Sequence, residues 1–136
     1  MIDRLHQLAG DGEDFAFETT LASRSFAPWI EKLKIHGYRF HLVFLTLPSP
    51  ELAVERVAER VRLGGHNVPV ETIRRRYFAG IRNFFDLFQP LADSWRIYDN
   101  SVTEPSLIAS GQCRNVEFTA NMPAWNRLLE IYNDHK

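Results

Sequence analysis

The feature that most constrains the fold is an uninterrupted apolar run in the first half of the chain, Leu42-Val43-Phe44-Leu45. It lies within residues 38–47, after a glycine, and Pro48-Ser49-Pro50 follows it. A short apolar run bounded by turn residues predicts a strand that is buried on both faces, as in a sheet covered by helices on both sides. Two further apolar runs, over residues 15–17 and 95–98, predict two more strands.

Helical patterns alternate with these strands. Apolar residues at helical spacing predict helices over residues 1–9, 25–36, 51–63, 70–88 and 123–133. Weaker β signals over residues 105–111 and 116–119 predict a hairpin. Strands that alternate with helices indicate an α/β fold with a mostly parallel sheet flanked by helices. The length of 136 residues predicts a single domain over residues 1–136.

Composition excludes several classes of function. The formal net charge is −1, so no overall positive field would attract nucleic acid or an anionic membrane. No stretch is long and apolar enough to span a membrane, and we expect a cytoplasmic location. Cys113 is the single cysteine, which excludes an intrachain disulfide. We expect no metal site held by the protein alone, because no second His or Cys lies at ligand spacing from His66.

Basic residues are concentrated around a Gly64-Gly65 pair, which we expect to end one helix, while Pro69 begins the next. We call residues 60–77 the arginine hinge. Its five arginines are Arg60, Arg62, Arg74, Arg75 and Arg76. The guanidinium group matches phosphate oxygens and stays charged, so the hinge is a candidate site for a polyanion.

A second interpretation of the arginine hinge is equally compatible with the sequence. The arginines could pair with nearby carboxylates and hold no ligand, as on many solvated helix faces. The candidate carboxylates are Glu55, Glu59, Glu71, Asp86 and Asp93.

Polar residues follow two of the predicted strands. Glu18, Thr19 and Thr20 follow the run over residues 15–17, and Asp99 and Asn100 follow the run over residues 95–98. Ligands in open α/β sheets lie beyond the carboxyl ends of strands, so these residues are candidates for the edge of a site. The alternative is that they only form turns and cap the next element.

The order of these motifs resembles that of the zeta-toxin-like P-loop kinases, often described as predicted ABC-type ATPases. The resemblance covers residues 14–101. The motifs that carry it, in chain order, are Phe15-Ala16-Phe17-Glu18-Thr19-Thr20-Leu21, Gly37-Tyr38, Pro48-Ser49-Pro50-Glu51, Arg56-Val57, Arg60-Val61, Gly64-Gly65-His66-Asn67-Val68-Pro69, Ile73-Arg74-Arg75-Arg76-Tyr77 and Tyr98-Asp99-Asn100-Ser101.

The resemblance implies a parallel sheet with helices on both faces and a lid that carries arginines. It implies ATP or GTP with Mg²⁺ as the phosphoryl donor, and as acceptor a hydroxyl group of a small molecule such as a UDP-activated amino sugar. Glu18, Thr19 and Thr20 would face the acceptor. The family's lid arginines would correspond to Arg60 or Arg62 together with one or more of Arg74, Arg75 and Arg76. Asp99 and Asn100 would lie near the nucleotide, and Arg74 would contact it.

The chain departs from the family's pattern in one respect. No Gly-x-x-x-x-Gly-Lys-Ser/Thr motif occurs in the sequence. In the family that loop and the catalytic base precede the Glu-Thr-Thr motif, so we expect a C-terminal portion of such a kinase, without the first strand and incomplete or inactive as it stands. The alternative is a non-enzymatic remnant or interaction module of the same fold. A sheet without that strand would expose an edge to self-association or to an antitoxin.

Overall fold

Four strands form one mixed sheet in the order β1-β2-β3-β4 in the computed structural model, which describes Ala16 and residues 21–135. Strand β1 (His41–Thr46) pairs in parallel with β2 (Ser94–Asp99). Strand β2 pairs antiparallel with β3 (Ser106–Gln112), which forms a hairpin with β4 (Asn115–Thr119). Hence, in this part of the chain, one strand pair is parallel and two are antiparallel.

The α/β class and the flanking helices are confirmed, as are the strand over residues 95–98 and the hairpin. The sheet contains more antiparallel pairing than the prediction of a mostly parallel sheet implied, because the hairpin joins directly onto β2. The helix over residues 1–9, the strand over residues 15–17 apart from Ala16, and Glu18, Thr19 and Thr20 lie outside the described residues.

Four α-helices accompany the sheet in the described part of the chain. They are α1 (Phe26–Ile35), α2 (Pro50–Arg62), α3 (Val70–Asn83) and α4 (Met122–His135). A π-helical turn (Phe84–Phe88) continues α3, so the long helix predicted over residues 70–88 is present with a wider last turn. None of these helices is long and apolar enough to cross a membrane.

The boundaries of α2 and α3 follow from local chemistry. The Ser49 hydroxyl accepts a hydrogen bond from the Leu52 amide and caps α2, whose first residue is Pro50. Helix α2 ends at Arg62, and two residues later Gly64 has a φ of 101°, which favours glycine. Pro69 immediately precedes α3. The predicted helix–corner–helix arrangement of the arginine hinge is therefore present.

The core lies on one face of the sheet and is rich in aromatic side chains. Trp95 of β2 and Phe84 of the π-helical turn are fully buried, and their ring centroids lie 5.5 Å apart in an edge-to-face arrangement. Trp125 of α4 stacks on Trp95 at 5.7 Å. Phe44 of β1 stacks on Phe84, also at 5.5 Å. These contacts fix α3 and α4 against the β1–β2 pair.

The opposite face of β1 differs from its prediction. The apolar run was expected to be covered on both faces, yet Val43 is 60% exposed and Leu45 is 50% exposed. Val43 shares a row with Arg96 of β2 and Phe118 of β4, and both of those side chains are exposed as well. The described helices cover the other face, where Leu42 and Thr46 are buried. The sequence of an apolar run does not show whether one or both of its faces are covered by helices.

A buried asparagine ties the start of the described chain to the end of α3. Asn83 is fully buried, and its Nδ2 donates to the Leu21 carbonyl at 2.8 Å and to the Ala22 carbonyl at 3.2 Å. Leu21 has a positive φ of 61°, which is uncommon for a residue other than glycine. The two hydrogen bonds hold this unfavourable backbone conformation in place.

We expect Asn83→Ala to destabilise the protein by about 2 to 4 kcal/mol, because it leaves buried carbonyls without a donor and opens a cavity. Urea unfolding monitored by circular dichroism measures the change. Asn126→Ala, at an exposed position on α4, is the matched control and should change stability by less than about 0.5 kcal/mol. Equal effects of the two substitutions would contradict the role of Asn83.

Candidate functional site at the strand ends

The parallel pairing of β1 with β2 brings their carboxyl ends together. Thr46 and Asp99, the last residues of the two strands, are register partners. The Asn100 amide donates to the Thr46 carbonyl at 2.8 Å and extends the pairing by one residue. We call residues 46–51 and 99–101 the strand-end site, since ligands of open α/β sheets bind beyond such ends.

Two helices hold the turn that follows β1. The Tyr77 hydroxyl of α3 donates to the Leu47 carbonyl at 2.7 Å. Arg127 Nε of α4 donates to the Pro48 carbonyl at 2.6 Å. Glu51, in the first turn of α2, accepts from Arg74 Nη2 at 3.1 Å. The consecutive carbonyl groups of Leu47 and Pro48 are therefore hydrogen-bonded to α3 and α4. These bonds fix the position at which α2 begins.

A third helix holds the loop that follows β2. Arg56 Nη2 of α2 donates to the Asn100 carbonyl at 2.7 Å, and the Ser101 amide donates to Asp99 Oδ1 at 2.9 Å. Asp99 and Asn100 thus lie at the strand ends, where the sequence placed them. The sequence analysis named Arg56 only as part of the Arg56-Val57 motif and missed this contact. Its spacing of four residues from Arg60 was the available signal, because such residues share a helix face.

Burial and charge perturb two titratable groups of the strand-end site. Burial raises the pKa of Tyr77 to about 12, the charges of Glu51 and Asp99 add to the rise, and that of Arg127 opposes it. The pKa of Glu51 is lowered, first by a hydrogen bond from its own backbone amide and then by Arg74 and Arg127. At physiological pH the Tyr77 hydroxyl therefore stays protonated and donates a hydrogen bond to the Leu47 carbonyl, while the Glu51 carboxylate stays ionised.

The structure divides the arginine hinge into paired and unpaired residues. Arg62 pairs with Glu59, one of the predicted partners, and Arg74 pairs with Glu51, a partner that was not predicted. The side chains of Arg60, Arg75 and Arg76 make no hydrogen bond or ion pair with any residue that the structure describes. All three are exposed.

The distant carboxylates that could have neutralised the hinge are engaged elsewhere. Asp93 pairs with Lys34 at 2.9 Å and accepts the Phe40 amide at 2.7 Å. Asp86 accepts a hydrogen bond from the Tyr132 hydroxyl. Pairing with carboxylates therefore accounts for Arg62 and Arg74. It leaves the other three arginines of the hinge without a side-chain partner among the described residues.

The three consecutive arginines of α3 cannot all point the same way. Successive residues of an α-helix are rotated by about 100°, so Arg74, Arg75 and Arg76 spread around the helix. Arg74 contacts α2 through Glu51. A contact with α2 is therefore shown for Arg74, while Arg75 and Arg76 lie on other sides of α3.

A small cleft adjoins the strand ends. Its lining includes Thr46, Leu47, Tyr77, Asp99 and Arg127, together with apolar side chains of β3 and α4. Among the residues that the structure describes, no group of three or more His, Cys, Asp or Glu could hold a metal ion. Mg²⁺ in phosphoryl-transfer sites takes ligands from one or two carboxylates and from the substrate's phosphates. We assign none of the described residues to a magnesium ion.

The fold is an α/β sheet whose loops at the carboxyl ends of β1 and β2 are held by arginines, at the position where open α/β sheets bind their ligands. The chain belongs to the zeta toxin family, whose model, described as "Zeta toxin", matches residues 2–105. The resemblance stated from the motifs is thus confirmed. The match ends at residue 105, in the loop between β2 and β3, so the β3–β4 hairpin and α4 follow the matched residues.

A relative is found among curated proteins. It is an uncharacterized protein of Haemophilus influenzae (strain ATCC 51907 / DSM 11121 / KW20 / Rd), which is 29% identical to this chain over 63 residues. The aligned part is 46% of this chain and 45% of that protein, so the similarity spans less than half of either. No solved structure matches the chain.

We expect Arg56→Ala to loosen the loop after β2, because the Asn100 carbonyl loses its donor. Amide hydrogen exchange should become faster at Asn100 and Ser101 and stay unchanged in the β3–β4 hairpin. Glu55→Ala, an exposed neighbour on α2, is the control. Unchanged exchange at both amides in Arg56→Ala would show that the loop is held by the strand pairing alone.

Proposed function

We propose that this chain is part of a nucleotide-dependent kinase that transfers a phosphoryl group from ATP or GTP to a hydroxyl group of a small molecule. A UDP-activated amino sugar is the proposed acceptor class. Membership of the zeta toxin family supports the nucleotide-binding, kinase-like part of this proposal. The donor, the acceptor and a cytoplasmic location rest on resemblance.

The observation that carries the proposal is the set of three arginines whose side chains pair with no described residue, Arg60, Arg75 and Arg76. Like charges on neighbouring helices repel one another unless an anion joins them. Arg60 lies one helical turn beyond Arg56, which contacts the loop after β2. Arg74, which precedes the other two, pairs with a carboxylate at the start of α2. Both helices that carry the unpaired charges are therefore anchored at the strand ends.

The chemistry assigns a role to each candidate residue. Phosphoryl transfer depends mainly on positioning and on neutralising charge, and guanidinium groups do both. In the proposal Arg60, Arg62, Arg75 and Arg76 neutralise the transferring phosphoryl group. Arg74, Asp99 and Asn100 contact the nucleotide. Glu18, Thr19 and Thr20 bind the acceptor and accept hydrogen bonds from its hydroxyl groups.

The sequence holds no phosphate-binding loop of the Gly-x-x-x-x-Gly-Lys-Ser/Thr type. That loop supplies the backbone amides and the lysine that hold the donor's phosphates in such kinases. We therefore expect these 136 residues to bind phosphate weakly. We also expect them not to transfer phosphoryl groups at the rate of a complete kinase. Adding Mg²⁺-ATP and a UDP-amino sugar to the purified chain, with product detection by mass spectrometry, tests this part.

We expect Arg75→Ala combined with Arg76→Ala to weaken pyrophosphate binding roughly tenfold or more, since each charge-assisted hydrogen bond contributes about 1.5 to 3 kcal/mol. Isothermal titration calorimetry at low salt measures the affinity. Binding by the unsubstituted chain should also fall as salt is added, because the arginines are exposed.

The charge-matched control is Arg39→Ala combined with Arg114→Ala, two exposed positions outside the arginine hinge. The control should leave pyrophosphate affinity unchanged at equal ionic strength. Equal losses in the two double variants would indicate attraction by net charge rather than a site. Absence of binding by the unsubstituted chain at low salt would overturn the proposal.

The exposed face of β1 favours a second candidate, an interaction module. In the described part of the chain β1 pairs only with β2, so no described strand occupies its other edge, and Val43 and Leu45 beside that edge are exposed. Unprotected strand edges pair readily with other chains. The proposed partner is a second copy of this chain or a protein antitoxin.

If the chain self-associates through the exposed face of β1, Val43→Lys combined with Leu45→Lys should make it monomeric, because both side chains lie on that face and two charges would be buried on association. Analytical ultracentrifugation over a range of concentrations measures the mass. Val116→Lys, on the strand at the opposite end of the sheet, is the control and should leave association intact. A monomeric unsubstituted chain would rule out self-association.

A further inference from the structure

Helix α4 lies beyond the residues that the family model matches, yet it reaches the strand-end site. The match ends at residue 105, and α4 begins at Met122. Arg127 of this helix donates from Nε to the Pro48 carbonyl at 2.6 Å. The part of the chain after the family match therefore contributes a charged side chain to the turn after β1.

The hydrogen bond from Arg127 holds a turn that has few backbone hydrogen bonds of its own. Pro48 and Pro50 have no amide proton, so the turn cannot hold itself with a regular backbone ladder. The Leu47 carbonyl is taken by Tyr77, and Ser49 caps α2 through its side chain. The bond to Pro48 completes the attachment of the turn, and α2 begins two residues later.

The same guanidinium group acts on Glu51 by charge. Arg74 of α3 pairs with this carboxylate, and the charge of Arg127 of α4 adds to the lowering of its pKa. Glu51 in turn holds Arg74, which is the first of the three consecutive arginines of α3. A displacement of the turn or of Glu51 would therefore be transmitted to the arginine hinge.

We propose that Arg127 is a positioning residue of the phosphate site: it fixes the turn after β1 through Pro48 and orients the Glu51–Arg74 pair. This rests on the proposed function, in that the arginine hinge binds phosphate. Arg127 acts through two groups that are themselves attached to the hinge. Residues 106–135 then have a role in the site and do not serve only to complete the core.

The test compares Arg127→Gln, which removes the charge, with Arg127→Lys, which keeps the charge and loses the Nε geometry. Arg39→Gln, at an exposed position outside the strand-end site, is the control. The pKa of Glu51 is followed by carbon-13 NMR of its carboxyl group, and pyrophosphate affinity by calorimetry. Amide spectra and urea unfolding show whether each variant is folded and how stable it is.

We expect the pKa of Glu51 to rise in Arg127→Gln and to stay lowered in Arg127→Lys. Pyrophosphate affinity should fall in both variants, roughly tenfold in Arg127→Gln, which is about the effect of losing one hydrogen bond from a charged group. A residue that only stabilised the fold would lower the urea midpoint without moving either quantity. An unchanged Glu51 pKa in Arg127→Gln together with unchanged affinity would overturn the proposal.

Two outcomes remain to be separated. If the unsubstituted chain binds no pyrophosphate, the proposed function fails, and the Glu51 titration still decides whether Arg127 orients the Glu51–Arg74 pair. If Arg127→Gln does not fold, Arg127→Lys decides: retained pyrophosphate affinity in that variant would overturn a positioning role for the Nε hydrogen bond, and reduced affinity would support it.

Discussion

The parallel pairing of β1 with β2 is the interaction on which the rest of the structure depends. It makes Thr46 and Asp99 neighbours and lets the Asn100 amide bond to the Thr46 carbonyl. Both loops leave the sheet at the same edge as a result. Backbone carbonyl groups then attach each loop to the helices. The loop after β1 is held through the carbonyls of Leu47 and Pro48, and the loop after β2 is held through the carbonyl of Asn100.

The aromatic core explains why these attachments are geometrically defined. Phe84 and Trp95 bury the junction between α3 and β2, and Trp125 adds α4 by stacking on Trp95. Because protein cores are packed as densely as organic crystals, helices held in this way have little freedom to shift. Arg74, Tyr77 and Arg127 therefore approach the strand ends from positions that the core determines.

Much of the fold could be predicted from the sequence, because the apolar periods, glycines and prolines that mark each element are local. The helix–corner–helix of the arginine hinge follows from Gly64 and Pro69, and the family follows from the order of short motifs. Long-range contacts left no such signal. Arg56 and Arg127 look like ordinary surface residues until the strands bring the Asn100 and Pro48 carbonyls beside them. The exposed face of β1 was missed for the same reason, since an apolar run is equally compatible with one covered face or two.

The central claim is that phosphate binds where the arginine hinge meets the carboxyl ends of β1 and β2. NMR titration of the labelled chain with pyrophosphate tests it most directly, because every amide reports separately. The account predicts that the largest shift changes fall at Gly65, Arg75, Arg76 and Asn100 and saturate together. Saturating changes confined to the β3–β4 hairpin or to α1, or no saturating change at low salt, would contradict it.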